Sequence, residues 1–220
     1  MPYGRNTYHP RRRLPMRFSN PLDDLFQSRS HVKVLRALSA IPEGLEVSIR
    51  EVARRAGVSH PTASGVLEAF RQQGVVHVTR TPWADEIRVN ARHVLWSHVL
   101  PVLRWERGLK DELVTFLADE ISAHAPWASG AYLFGSSSRD DMEPGSDIDV
   151  AVTCQKERVA ETKGVMDAIA ERTAERFGNR LSAIVGSRPV ETAKRSGQPG
   201  SGLWKQIANE GIPLLAIVGV

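Results

Sequence analysis

One cysteine, Cys154, stands in 220 residues, so no internal disulfide supports the fold and packing must do so. Its place at the end of a predicted strand suits a buried structural thiol. No apolar run is long enough to span a membrane, and no hydrophobic stretch follows the basic N-terminus as in a signal peptide. Both absences point to a cytoplasmic protein with no membrane partner. Acids are missing from residues 1–22, where Arg5, Arg11, Arg12, Arg13 and Arg17 gather. The formal net charge is +4, so this segment accounts for the excess and the remainder is near neutral. A basic arm ahead of a folded domain suits contacts with phosphates; a solvated tail is the plain alternative. His93, His98 and His124 lack metal-ligand spacing with a third partner and read as structural or solvated. With 41% hydrophobic residues, the chain can bury one large core or two small ones.

The most informative stretch runs from Leu133 to Val152. It predicts a strand, a tight turn at Gly135, a short polar helix or loop, and a second strand carrying Asp147 and Asp149. Residues i and i+2 of a strand share a face, so the two carboxylates stand together while Ile148, Val150 and Val152 take the other side. Such neighbours repel, and a divalent cation is the usual remedy. Mg²⁺ (or Mn²⁺) binds through one or two carboxylates together with substrate phosphates. Gly135 lets backbone approach a phosphate, and Ser136 with the amides after it can cradle phosphate oxygens.

Gly135-Ser136, Arg139 and Ser146-Asp147-Ile148-Asp149 resemble the signature of the DNA polymerase β superfamily of nucleotidyltransferases. The likeness is closest to its minimal, antitoxin-like and kanamycin-type members, and it covers roughly the last hundred residues. It implies that Asp147 and Asp149 bind metal and serve catalysis, and that Gly135, Ser136, Arg139 and Ser146 bind a nucleoside triphosphate. It also implies a third carboxylate on a following strand, acting as ligand and base. Arg180-Leu-Ser-Ala-Ile-Val185 has no acid, and Glu191 lies beyond Gly186 and Pro189. General base catalysis is typically worth about two to four powers of ten in rate, so the pattern supports the pocket better than its chemistry.

The N-terminal half reads as helices followed by a β-hairpin. His31–Leu38 places Val34, Leu35 and Leu38 on one face. Ser48-Ile-Arg-Glu51 is a capping box opening a helix that Gly57 stops. Ser59 caps the next, with Pro61 in its first turn, and Gly74 ends it. Val75–Arg80 and Glu86–Asn90 form the hairpin. Glu51-Val-Ala-Arg-Arg-Ala-Gly-Val-Ser59, the helix after it and Gln73-Gly-Val-Val76 resemble winged helix-turn-helix transcriptional regulators over about seventy residues. In that motif the second helix enters the major groove by its N-terminal end. That end offers Ser59, His60, Thr62 and Ser64, flanked by Arg54 and Arg55. The wing adds Arg80 and Arg88, and the arm adds Arg11, Arg12 and Arg13. A winged helix used only for protein contacts is the alternative. Trp83, at the wing tip, reads as packing back on the domain rather than as an intercalating wedge.

Residues 92–124 read as helix, kinked or split by Pro101. Leu109, Leu113, Phe116, Leu117 and Ile121 form a core stripe. Val94, Leu95, Trp96, Val99 and Leu100 face the winged helix or a second subunit. The later elements are a helix over Lys156–Phe177, a strand over Leu181–Val185, a flexible loop over Ser196–Gly202 (an ordinary surface loop, with a lid as the alternative), a helix over Leu203–Asn209 and a strand over Leu214–Val218. The expected architecture is α+β. It comprises a basic arm (1–21), a winged helix-turn-helix domain (22–91), a helical connector (92–125) and a nucleotidyltransferase-like domain (126–220). The expected function is a DNA-binding transcriptional regulator, a homodimer on double-stranded DNA. Its second domain would bind Mg–nucleoside triphosphate with weak or lost catalysis. The alternative is an active metal-dependent transferase, moving a nucleoside monophosphate from the triphosphate to an RNA, protein or small molecule.

Overall fold

The computed structural model describes residues 19–80, 83, 85–139, 142–143, 145–187 and 201–215. Arg11, Arg12, Arg13, Glu191 and most of the glycine-rich loop lie outside them. The fold is α+β, and the chain divides into two compact units, Met1–Gly108 and Leu109–Val220.

In the first unit, α1 (Leu22–Leu25) and α2 (Arg29–Ser39) lead to β1 (Val47–Ser48), α3 (Ile49–Ala56) and α4 (His60–Gln73). The hairpin β2 (Val76–Arg80) and β3 (Asp85–Val89) follows, then α5 (Val94–Arg107). Local chemistry sets the boundaries. The Ser48 hydroxyl accepts from the Glu51 N–H at 3.2 Å, and Ser59 accepts from the Thr62 N–H at 3.3 Å. Gly57 and Gly74 close α3 and α4 at φ 59° and 84°, where a Cβ is penalised. Leu35, Leu38, Val52, Leu67, Phe70, Ile87 and Trp96 belong to one core. Strand β1, unforeseen because it has two residues, pairs with β3 through Val47 and Ile87 and completes a sheet in the order β1-β3-β2.

Three expectations change here. The capping box is half formed, because the Glu51 carboxylate turns to arginines instead of back to the Ser48 N–H. Of the kink or split expected at Pro101, the split does not occur there: the proline lies inside α5, and the helix stops at Gly108, whose N–H bonds the Trp105 carbonyl at 2.9 Å. One missing N–H removes one rung, and the turns on either side keep theirs. Trp83 does not pack back; it is 94% exposed.

The second unit contains α6 (Leu109–His124), β4 (Gly130–Phe134), the one-turn α7 (Ser136–Arg139) and β5 (Ile148–Thr153). A 3-10 turn (Lys156–Arg158), α8 (Val159–Phe177), β6 (Leu181–Gly186), α9 (Ser201–Glu210) and β7 (Ile212–Pro213) complete it. The sheet order is β6-β5-β4-β7, with β5 and β6 parallel and the other pairs antiparallel. Ile148, Val150 and Val152 join Leu117, Ile121, Met166 and Ile169 in the main core. On the opposite face Tyr132, Ala151 and Ile207 form a smaller cluster with Phe134 and Trp204, so α9 covers that side. Cys154 is buried, and its sulfur accepts from the Thr162 hydroxyl at 3.3 Å.

Candidate functional site

Strands β4 and β5 bring the Gly-Ser turn and the acid pair together. Phe134 pairs with Asp149, and Tyr132 with Ala151, so Asp149 projects on the α9 face while its neighbours Ile148 and Val150 enter the main core. Asp147 immediately precedes β5 and is exposed. The turn at Gly135 has φ 72°, and a Cβ there would overlap Asp149 Oδ2 and come within 3.2 Å of its Cγ. The glycine therefore serves both the turn and the approach of the carboxylate to it. Burial, and then the charge on Asp147, pushes the Asp149 carboxyl above its ordinary pKa.

Helix α7 begins at Ser136, which is half-buried. The Ser138 hydroxyl donates to the Gly135 carbonyl at 2.9 Å and ties the turn to the helix. Lys110, on α6, donates to the Ser138 carbonyl at 2.8 Å. Arg139 ends α7 and faces Glu210 of α9 at 3.7 Å. Ser146 is occupied locally: its hydroxyl accepts from the Glu143 N–H at 3.0 Å, and its carbonyl accepts from Asn179 at 3.1 Å. It shapes the turn into β5. Lys110 and Glu210 escaped the sequence reading because only the tertiary fold brings them to α7.

The parallel register pairs Asp149 with Ser182. The strand position beside Asp149 on the same face is thus a hydroxyl, and β6 carries no acid at all. Among the described residues no group of three or more His, Cys, Asp or Glu is arranged to hold a metal. The donor set still suits a hard cation, with two adjacent carboxylates, one of them held partly buried in its neighbour's field.

In the first unit, Glu51 holds Arg54 through two bonds, 2.8 and 2.7 Å, and Arg55 at 2.6 Å. These bonds lower its pKa to about 2. Ser59 and Thr62 share a 2.8 Å bond at the α4 cap. His60 is exposed and Ser64 half-buried. Arg80 is exposed at the end of β2. Arg88 faces Glu46 at 3.5 Å, and Arg71 is bound by Glu68 through two 2.7 Å bonds. The α4 N-terminal end is open, but several flanking arginines are engaged by acids.

No described helix is long and apolar enough to cross a membrane. Residues 119–215 match the family model described as Polymerase beta, Nucleotidyltransferase, and residues 28–82 match the MarR family. No curated protein matches the chain. One similar solved structure is described as "Crystal structure of the toxin-antitoxin with AMP-PNP"; it is 19% identical, with 46% of this chain and 71% of that chain covered and a TM-score of 0.31. The chain thus joins a MarR-family winged-helix domain, residues 28–82, to a polymerase β-type nucleotidyltransferase domain, residues 119–215.

Proposed function

We propose that this protein is a nucleotide-binding transcriptional regulator, cytoplasmic and homodimeric on double-stranded DNA. Its winged helix would present the α4 N-terminal end to the major groove, with His60 and Ser64 nearest the bases and Arg80 and Arg88 on the wing. Arg54 and Arg55 would serve phosphates once released from Glu51, with Arg11, Arg12 and Arg13 joining them. Val94, Val102 and Trp105, exposed along α5, support the dimer as an apolar face for a second copy. Sedimentation of a Val102→Glu/Trp105→Glu variant should give a monomer where the wild type gives a dimer.

In the second domain Asp147 and Asp149 would hold Mg²⁺ or Mn²⁺. Gly135 and Ser136 would seat the phosphates of a nucleoside triphosphate, and Arg139 would exchange Glu210 for them. The bound cation supplies charge neutralisation for the phosphates. The observation that carries weak or lost catalysis is Ser182 beside Asp149: no base stands on the adjacent strand to take a proton from an acceptor. The preserved acid pair and Gly-Ser turn favour a second reading, an active nucleotidyltransferase with a base from elsewhere.

Label transfer separates the two. The protein is incubated with each α-labelled nucleoside triphosphate, Mg²⁺ or Mn²⁺ and a host lysate, beside the Asp147→Asn/Asp149→Asn variant. A regulator should bind nucleotide and transfer no label. Label reaching a macromolecule with the wild type alone would overturn the loss of catalysis.

A further inference from the structure

The wing carries a side chain that the first unit does not use. Trp83 lies between β2 and β3 and is 94% exposed, the most exposed large hydrophobic residue described. The hairpin that carries it is closely paired: five register pairs run from Val76–Val89 to Arg80–Asp85. Its inner face is anchored in the core by Val76 and Ile87, with Val78 and Val89 packed against it. Its outer face shows His77 opposite Arg88, and Arg80 is exposed three residues before the tryptophan. A large aromatic thus stands in water at the end of a closely paired two-strand ribbon, where Arg80 lies across from Asp85. Folding alone gives no reason for that arrangement.

We infer that Trp83 is a base-step wedge: the wing sets its indole against or between base pairs of double-stranded DNA. This rests on the DNA-binding reading above and adds a specificity determinant to it. Aromatic and apolar wedges of this kind partly unstack a step and kink the duplex, most easily at flexible pyrimidine–purine steps. Preference would then be expressed through deformability at the wedge and through base edges at α4.

The test uses the full chain and a mixed-sequence duplex of about 30 base pairs containing TA and CA steps. A second duplex of the same length is built on stiff A-tracts. Affinity is read by fluorescence anisotropy across a salt series, and bending by energy transfer between end labels. Stacking of one base on an aromatic side chain is worth about 1–3 kcal/mol, or roughly 5- to 150-fold in affinity. Trp83→Ala should therefore weaken binding to the flexible duplex by about tenfold or more, abolish bending and leave the salt slope unchanged, since no phosphate contact is lost. Trp83→Phe should retain most of both. Trp83→Ala should bring the affinities for the two duplexes together. Unchanged affinity and bending in Trp83→Ala would overturn the wedge while leaving the DNA-binding reading intact, and so would a loss that appears only as a flatter salt slope. A wild type that binds neither duplex would overturn both.

Discussion

Gly135→Ala tests whether the turn exists for the sake of Asp149, and Gly178→Ala is its control. Both glycines are left-handed, at φ 72° and 77°, so both substitutions force a side chain into that region. The backbone cost is about 1–2 kcal/mol at each site. For a unit of this size it should lower the melting temperature by roughly 4–8 °C per kcal/mol. The surroundings differ: a Cβ at Gly178 meets nothing within 4 Å, whereas at Gly135 it overlaps Asp149 Oδ2. That oxygen is the end of a side chain, so Asp149 can swing away and spare the fold most of the collision. The carboxylate then leaves its place beside the turn. Displacing one of the two proposed metal ligands should cost at least about tenfold in affinity, since even removing a ligand's supporting group costs 10- to 100-fold. Both variants should thus melt earlier by similar amounts, while only Gly135→Ala loses Mn²⁺-dependent binding of a non-hydrolysable nucleoside triphosphate in calorimetric titration. Equal binding losses in the two variants, or wild-type binding by Gly135→Ala, would refute the reasoning.

Three other perturbations address charge. The folded-state pKa of Asp149 is raised, so the native state holds its proton more tightly, and stability falls as pH rises from the unfolded value through the folded one. Without metal, Asp149→Asn should melt higher than wild type at pH 7 and no higher below the aspartate range, and added Mg²⁺ should narrow the gap; a pH-independent difference would count against this electrostatic origin. Glu51→Gln should release Arg54 and Arg55 while preserving the Ser48 cap, which uses the backbone N–H. DNA binding should then tighten, with the salt slope steeper by up to about 0.9 for each new phosphate contact, and an unchanged slope would show that neither arginine reaches the backbone. Ser182→Asp puts a carboxylate beside Asp149 on its own face. If its absence is what silences transfer, label incorporation should rise toward the two to four powers of ten typical of a general base. Intact nucleotide binding with no gain would place the deficit elsewhere.

What the sequence made legible was local. Ser48 and Ser59 accept from backbone N–H groups within three residues, and Gly57, Gly74, Gly135 and Gly178 turn left-handed where a helix or strand must end; none needs knowledge of the fold. The alternation Ile148-Asp149-Val150 already separated the Asp149 carboxylate from the core, because a strand has only two faces. What stayed hidden depends on partners far away in the chain. Strand β1 is defined by β3 nearly forty residues later, Lys110 and Glu210 reach α7 only through the second unit's packing, and Ser182 meets Asp149 by register. Charge was the least legible property. Arg54, Arg55 and Arg88 read as offered to DNA, yet each faces Glu51 or Glu46. Exposed ion pairs are worth only about 0–1 kcal/mol, so a polyanion can compete for these arginines, but each one captured leaves an acid behind near the phosphates. The number of arginines on this surface therefore overstates the charge it delivers to DNA. The winged helix should bind with a salt slope smaller than its arginine count implies, and the slope, not the affinity, measures how many of those pairs open.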